Sequence, residues 1–122
     1  MSNDWQSIDK PAEGAAITFD IELSQKVGDQ HFSRTEQGFA ITWQGEVHAY
    51  LNHCPHAGTS LDWLPGRFFS EDGQQLVCHT HDARFNPASG DCLAGPCPRG
   101  LYSITVREHE GRIQLPTTFT FP

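Results

Sequence analysis

"FAITWQGEVHAYLN", residues 39–52, is the stretch that decides the fold. Two short runs rich in β-branched and aromatic residues flank Gln44-Gly45, a pattern that reads as a β-hairpin. The same pattern recurs on both sides. "AAITFDIEL" and "HFSRT" upstream, and "QQLVC" downstream, read as strands. "RFNPASGDC" reads as a strand entering a Pro/Gly turn, and "YSITVREHEGRIQLP" as a second hairpin turning at Glu110-Gly111. No helical period persists beyond a few turns. Many short strands with closely spaced turn signals predict an all-β fold, an antiparallel β-sandwich or small barrel. Residues 1–14 contain Pro and Gly without periodicity and are expected to form an irregular arm, leaving 15–122 as one domain.

Composition narrows the function. A chain of 122 residues supports one core and leaves no room for a second. No apolar run approaches the roughly 18 residues of a membrane helix. The start, "MSNDWQSIDKPAEG", lacks the basic and apolar regions of an export signal, so a cytoplasmic protein is expected. Its four cysteines are then expected to be reduced or metal-bound. The net charge of -7 argues against nucleic acid and anionic membranes as partners. It suits steering toward a basic docking patch, and equally suits solubility alone.

The next stretch carries the chemistry. Residues 51–87 hold Cys54-x-His56 and, after 21 intervening residues, Cys78-x-x-His81. Each arm lies on a loop at the end of a strand-like run. Thiolate with imidazole suits zinc, copper or an iron–sulfur centre. Structural Cys₂His₂ zinc sites usually pair like ligands on each arm, whereas each arm here carries one Cys and one His. A [2Fe–2S] centre with Cys₂ on one iron and His₂ on the other needs that mixed supply.

"CPHAG" followed by "CHTHDARFNPASG" closely resembles the Rieske family pattern, and the resemblance covers roughly residues 15 to 116. "AGPCP", residues 94–98, is similar to the Gly-Pro-x-Pro loop that shields the cluster in that family. The resemblance implies a Rieske-type antiparallel β-sandwich with a cluster-binding subdomain, about 52–98, formed by two loops. It implies one [2Fe–2S] cluster, with Cys54 and Cys78 on the inner iron and His56 and His81 on the outer, exposed iron. This chain departs from the family at several points. The spacing between the arms is a few residues longer than usual, with the excess assigned to "DWLPGRFFSEDG", 62–73. Thr59 and Thr80 stand where high-potential members carry a disulfide. Ala83 and Phe85 stand where those members carry Ser and Tyr hydroxyls donating to the cluster sulfurs.

Other residues invite plainer readings. His53 and His79 read as loop surface beside ligands, and His31, His48 and His109 as structural or surface residues. Cys92 and Cys97 could form a disulfide across a tight turn or act as further ligands, but read first as two thiols. Trp43 reads as core. Trp63, Phe68 and Phe69 in the long loop read equally as a docking surface or as cover over the cluster. No nucleophile–base arrangement or phosphate-binding loop is visible, so no catalytic residues are expected.

The resemblance implies a one-electron carrier, passing electrons from a reductase to a terminal oxygenase or similar enzyme. Within electron transfer the alternative is the small subunit of an assimilatory nitrite reductase. From another class comes a structural or sensory zinc-binding module, which predicts a colourless protein.

Overall fold

The computed structural model describes residues 5–53, 61–62, 67–78, 82–95, 97 and 99–120, with 25–27 described as backbone. Three sheets form, and no helix is present among the described residues. The central sheet runs β10-β2-β3-β4, from β2 (Ala16–Val27), β3 (Gln30–Trp43), β4 (Glu46–Leu51) and β10 (Thr118–Thr120). A second sheet, β1-β9-β8, joins β1 (Trp5–Asp9), β8 (Arg107–His109) and β9 (Arg112–Pro116). The third, β5-β6-β7, joins β5 (Leu76–Cys78), β6 (Ala83–Phe85) and β7 (Cys92–Ala94). All pairings are antiparallel except β10 with β2, which is parallel.

Both expected hairpins form. Gln44 and Gly45 take φ of 53° and 81°, and Glu110 and Gly111 take 52° and 80°. Two successive left-handed residues give the tight turn whose twist matches the flanking strands. The Glu13 carboxylate accepts from the N–H groups of Gln44 and Gly45 at 2.6 and 2.9 Å, holding the first turn from outside.

The N-terminal arm differs from expectation. Trp5–Asp9 is a strand, paired in register with Arg112–Pro116. Arg112 reaches across the pair to Asp9 and Ser7, and Arg107 lies 4.0 Å over the Trp5 ring. The partner of β1 lies more than 100 residues away in sequence, so no local pattern announces it. Further along, the Thr42 hydroxyl donates to Pro11 O, and Gly14 N–H to Thr42 O, which ties the arm to β3.

The central sheet is covered on both faces. Phe19, Ile21, Leu23, Ala40, Ala49 and Leu51 point toward β9, where Ile113 and Leu115 close one core. Phe39, Ile41 and Tyr50 point the other way, onto Leu76, Cys78, Ala83 and Phe85 of the third sheet. This explains why β3 is buried continuously from Gly38 to Thr42. A strand covered on both faces loses its polar alternation. Close packing fixes Gly38, since a Cβ there would meet the Phe19 ring at 2.6 Å. The second core connects the scaffold to the Cys/His loops.

Candidate metal centre

The first Cys/His loop leaves β4 and returns at Leu61, and its base is closed by Asn52. This side chain is 6% exposed. Its Oδ1 accepts from Leu61 N–H at 2.7 Å, while Nδ2 donates to Gln37 Oε1 at 2.8 Å and Asp62 Oδ1 at 3.1 Å. The Asn52 N–H donates in turn to Gln37 O. A buried amide with its groups paired is a rigid joint, because breaking any of its bonds strands a polar atom away from water. Cys54 and His56 lie in the loop so closed, outside the described residues.

The second loop is closed by the β5–β6 pair. Cys78 faces Ala83 in register and Leu76 faces Phe85. Cys78, Leu76 and Phe85 are fully buried and Ala83 nearly so. Cys78 therefore ends a strand with its sulfur in the core side of the loop. His81 lies outside the described residues. Asp82, just beyond, takes φ of 58° to turn the chain back, and its carboxylate pairs with Arg84 at 3.0 Å.

A third loop packs on the second. Gly95 has φ of 87°, and a Cβ there would lie 2.8 Å from Ala83 Cα and 3.2 Å from Asp82 O. Glycine is required twice, by the backbone angle and by the close approach. Cys92 and Cys97 form a disulfide across this turn, with Cα atoms 6.0 Å apart. The expectation of two separate thiols is corrected: the tight turn at Gly95 brings the two sulfurs together. Behind these loops, the Tyr50 hydroxyl donates to Pro87 O at 2.7 Å. Burial, then the Asp91 charge, pushes its phenol far above the ordinary range. Gly90 allows the contact, since a Cβ there would meet Tyr50 Cε1 at 2.8 Å.

The long segment between the arms is partly core. Phe68 is 1% exposed and stacks on Phe39, ring centroids 4.0 Å apart. Phe68 O and Ser70 N–H bond to Val77 and Gln75, so the segment runs along β5 as an added edge. Trp43 Nε1 donates to Gly73 O at 3.2 Å, and Asp72 accepts from the Ser70 hydroxyl and Gln74 N–H, which lowers its carboxyl pKa. Phe69 is half-buried against the same core, while Trp63 lies outside the described residues.

Of the remaining histidines, His31 sits 2.6 Å from Ser24 Oγ on an exposed hairpin, and His109 is exposed beside Glu110. His48 is half-buried in β4, and its Nε2 has no hydrogen-bond partner among the described residues. His53 is half-buried and His79 lies outside the described residues. Among the described residues no three His, Cys, Asp or Glu side chains converge as a metal site. Sequence reasoning missed Asn52 and Gln37. The available signal was an amide placed directly after an apolar strand and just before Cys54.

These described segments define an all-β domain whose sequence carries the Cys/His arms in the stretches that follow β4 and end β5. The model of the Rieske [2Fe-2S] domain family matches residues 17–110, and the chain belongs to that family. A Rieske domain holds one [2Fe–2S] cluster, and two thiols with two imidazoles suit its two irons. Among solved structures, the fold is similar to the ferredoxin of carbazole 1,9a-dioxygenase from Nocardioides aromaticivorans IC177. That match has 22% identity, 91% of this chain and 89% of that chain covered, and a TM-score of 0.61. It is also similar to the terminal oxygenase of carbazole 1,9a-dioxygenase from Novosphingobium sp. KA1, at 21% identity, coverage of 98% and 31%, and TM-score 0.67. A chain in the complex of reduced oxygenase and oxidized ferredoxin of carbazole 1,9a-dioxygenase matches at 16% identity, with coverage of 99% and 100% and TM-score 0.68. Among curated sequences, mouse (Mus musculus) vezatin is 29% identical over 100 residues, and the chain spans 11% of its length.

Proposed function

We propose that this chain is a one-electron carrier that takes electrons from a reductase and delivers them to a terminal oxygenase. The observation that carries the reading is the family match over 17–110, which contains both Cys/His arms. Cys54 and Cys78 would hold the inner iron, and His56 and His81 the outer. The cluster, when bound, supplies a single reversible electron. The protein's part is to close the loop bases, keep water from the sulfurs and present the imidazole edges. Asn52 and the Cys78–Ala83 pair do the first, and the Gly95 turn packed on Ala83 contributes to the second. Such an arrangement needs no catalytic side chain, and the chain is read as a non-enzymatic component.

The oxygenase partner is supported by the likeness to the ferredoxin of carbazole 1,9a-dioxygenase. The net charge of -7 fits a partner with a basic docking face. No helix among the described residues is long and apolar enough to cross a membrane. A cytoplasmic location is part of the same proposal. The test is purification followed by metal and sulfide analysis. A red-brown protein with two irons and two sulfides per chain is expected, and iron content should collapse in Cys54→Ala, His56→Ala, Cys78→Ala and His81→Ala. A colourless protein holding one zinc would overturn the reading, as would iron retained in full by His81→Ala.

A further inference from the structure

The central sheet has two outer strands and one unequal length. The edge of β4 is taken by residues 102–104, through Leu51 N–H to Tyr102 O and Ile104 N–H to Ala49 O. The edge of β2 is taken at Glu22–Ser24 by β10. β3, however, is longer than β4 and pairs with it only over Gly38–Trp43. Asn52 N–H takes the Gln37 carbonyl, and from there to the turn the outer edge of β3 has no partner among the described residues.

The register says which groups that edge offers. Val27 and Gln30 flank the two-residue turn, so they bond to each other, and bonding alternates from there. Phe32 and Arg34 bond inward to β2. His31, Ser33 and Thr35 do not, and their N–H and C=O groups point outward. Two bonds elsewhere check the phase: Glu22, opposite Thr35, bonds outward to Thr117 O, and Gln37 outward to Asn52. Residues 31–35 are exposed throughout. Edges of this kind are normally blunted by Pro, Lys or a bulge. Residues 30–36, QHFSRTE, contain no Pro or Lys, and their pairing with β2 is unbroken. Phe32 on this edge is 53% exposed, one of two large apolar side chains so placed among the described residues. It shares a face with buried Ile21 and Leu23, and so extends that core face beyond its cover.

We propose that residues 30–36 of β3 pair antiparallel with the same segment of a second copy, about a twofold axis at Ser33. In that register Ser33 bonds to Ser33 of the second copy, and His31 to its Thr35, so every outward N–H and C=O is used. Phe32 then stands directly opposite Arg34 of the second copy in a non-bonded pair, where side chains approach most closely. A guanidinium over an aromatic ring is attractive, and the twofold axis supplies the contact twice. Neighbouring registers are worse. A shift one way places Arg34 opposite Arg34 and requires the Gln37 carbonyl that Asn52 already holds. A shift the other way places Phe32 opposite itself and loses a bonded pair. Arg34 and Glu36 leave this segment uncharged overall, whereas each chain carries -7. Charge repulsion between whole copies therefore opposes the pairing, and salt should favour it.

Sedimentation velocity of the full chain with its cluster tests this. The expected result is a concentration-dependent shift from 13.6 kDa toward twice that mass, tightening as salt rises. Ser33→Pro should abolish the shift, because its N–H faces outward and proline is tolerated on an edge strand. Arg34→Glu, which touches no backbone bond, should weaken association by about tenfold and decides the matter if the proline disturbs the hairpin. Circular dichroism and cluster absorption report the fold of each variant. A monomer at every concentration and salt overturns the proposal, as does a dimer of unchanged strength in Arg34→Glu.

Discussion

Replacing Asn52 with Ala tests the joint beneath the first Cys/His loop. The substitution removes the acceptor of Leu61 N–H at 2.7 Å and two donated bonds, to Gln37 Oε1 and Asp62 Oδ1. Taking the acceptor from a buried N–H costs about 1–3 kcal/mol, and each partly buried side-chain bond adds about 0.5–1 kcal/mol. The sum is about 2–5 kcal/mol, a large share of the ~5–15 kcal/mol by which domains are stable. With a urea dependence of about 1–3 kcal/mol per molar, the unfolding midpoint should fall by roughly 1–2 M. Gln37→Ala loses only one of these side-chain bonds and should cost about 0.5–1 kcal/mol. The loop also loses its fixed base, so visible absorption should bleach faster in chelator for Asn52→Ala than for Gln37→Ala. Urea curves and bleaching rates for both variants decide it. Equal midpoints and equal bleaching rates would refute the role given to Asn52.

Tyr50→Phe removes the buried bond to Pro87 O and should cost about 1 kcal/mol at neutral pH. Folding raises the Tyr50 pKa, so its contribution is complete below the unfolded value of about 10 and is lost as pH rises above it. Urea midpoints from pH 8 to 11 should therefore fall less steeply in the variant than in the parent protein. Reducing the Cys92–Cys97 disulfide, which spans five positions, opens a short loop and should cost about 2 kcal/mol on the chain-entropy account. Urea curves with and without a dithiol, alongside a thiol count by mass spectrometry, measure it. The electrode potential should lie toward the lower end of the Rieske range, ~ -150 mV. A clearly positive value in electrode titration would contradict this.

Much of the fold was legible because its signals are local. Gln44-Gly45 and Glu110-Gly111 declare their turns by residue type, and the structure shows the left-handed angles those residues favour. The two Cys/His arms are equally local in spacing. What escaped the sequence depends on distant partners. Trp5–Asp9 is a strand because Arg112–Pro116 lies beside it, and β10 because Glu22–Ser24 does. Phe39 to Thr42 suggests a strand but not the two sheets that bury both its faces. Asn52 looked like the end of a hairpin. Its importance arises from Leu61 and Gln37, which only the folded chain brings to it. Cys92 and Cys97 were ambiguous for a related reason, since a spacing of five allows a bridge only if the intervening backbone turns sharply.

The apolar residues at 83 and 85 serve packing, and the resemblance to the Rieske family predicts an electrochemical consequence at the same positions. Ala83 and Phe85 line the core shared with Phe39, Leu76 and Cys78, and neither carries a hydroxyl. The Gly95 turn lies so close to Ala83 Cα that the backbone at this point has no slack. A hydroxyl at either position would need a hydrogen-bond acceptor in an apolar layer, or would cost about 1–3 kcal/mol. A donor reaching a cluster sulfur would meet that need and would favour the reduced state, raising the potential. Of a charge-assisted bond, about 1 kcal/mol differs between redox states, and ~1.4 kcal/mol corresponds to ~59 mV for one electron. Ala83→Ser with Phe85→Tyr should therefore raise the potential by on the order of 100 mV while stability is nearly preserved. A hydroxyl that failed to reach sulfur would destabilise the protein and leave the potential where it was. Stability and potential measured on one pair of variants thus separate the two effects. A potential that stayed fixed in a variant of undiminished stability would refute the link drawn between this core and the electron's energy.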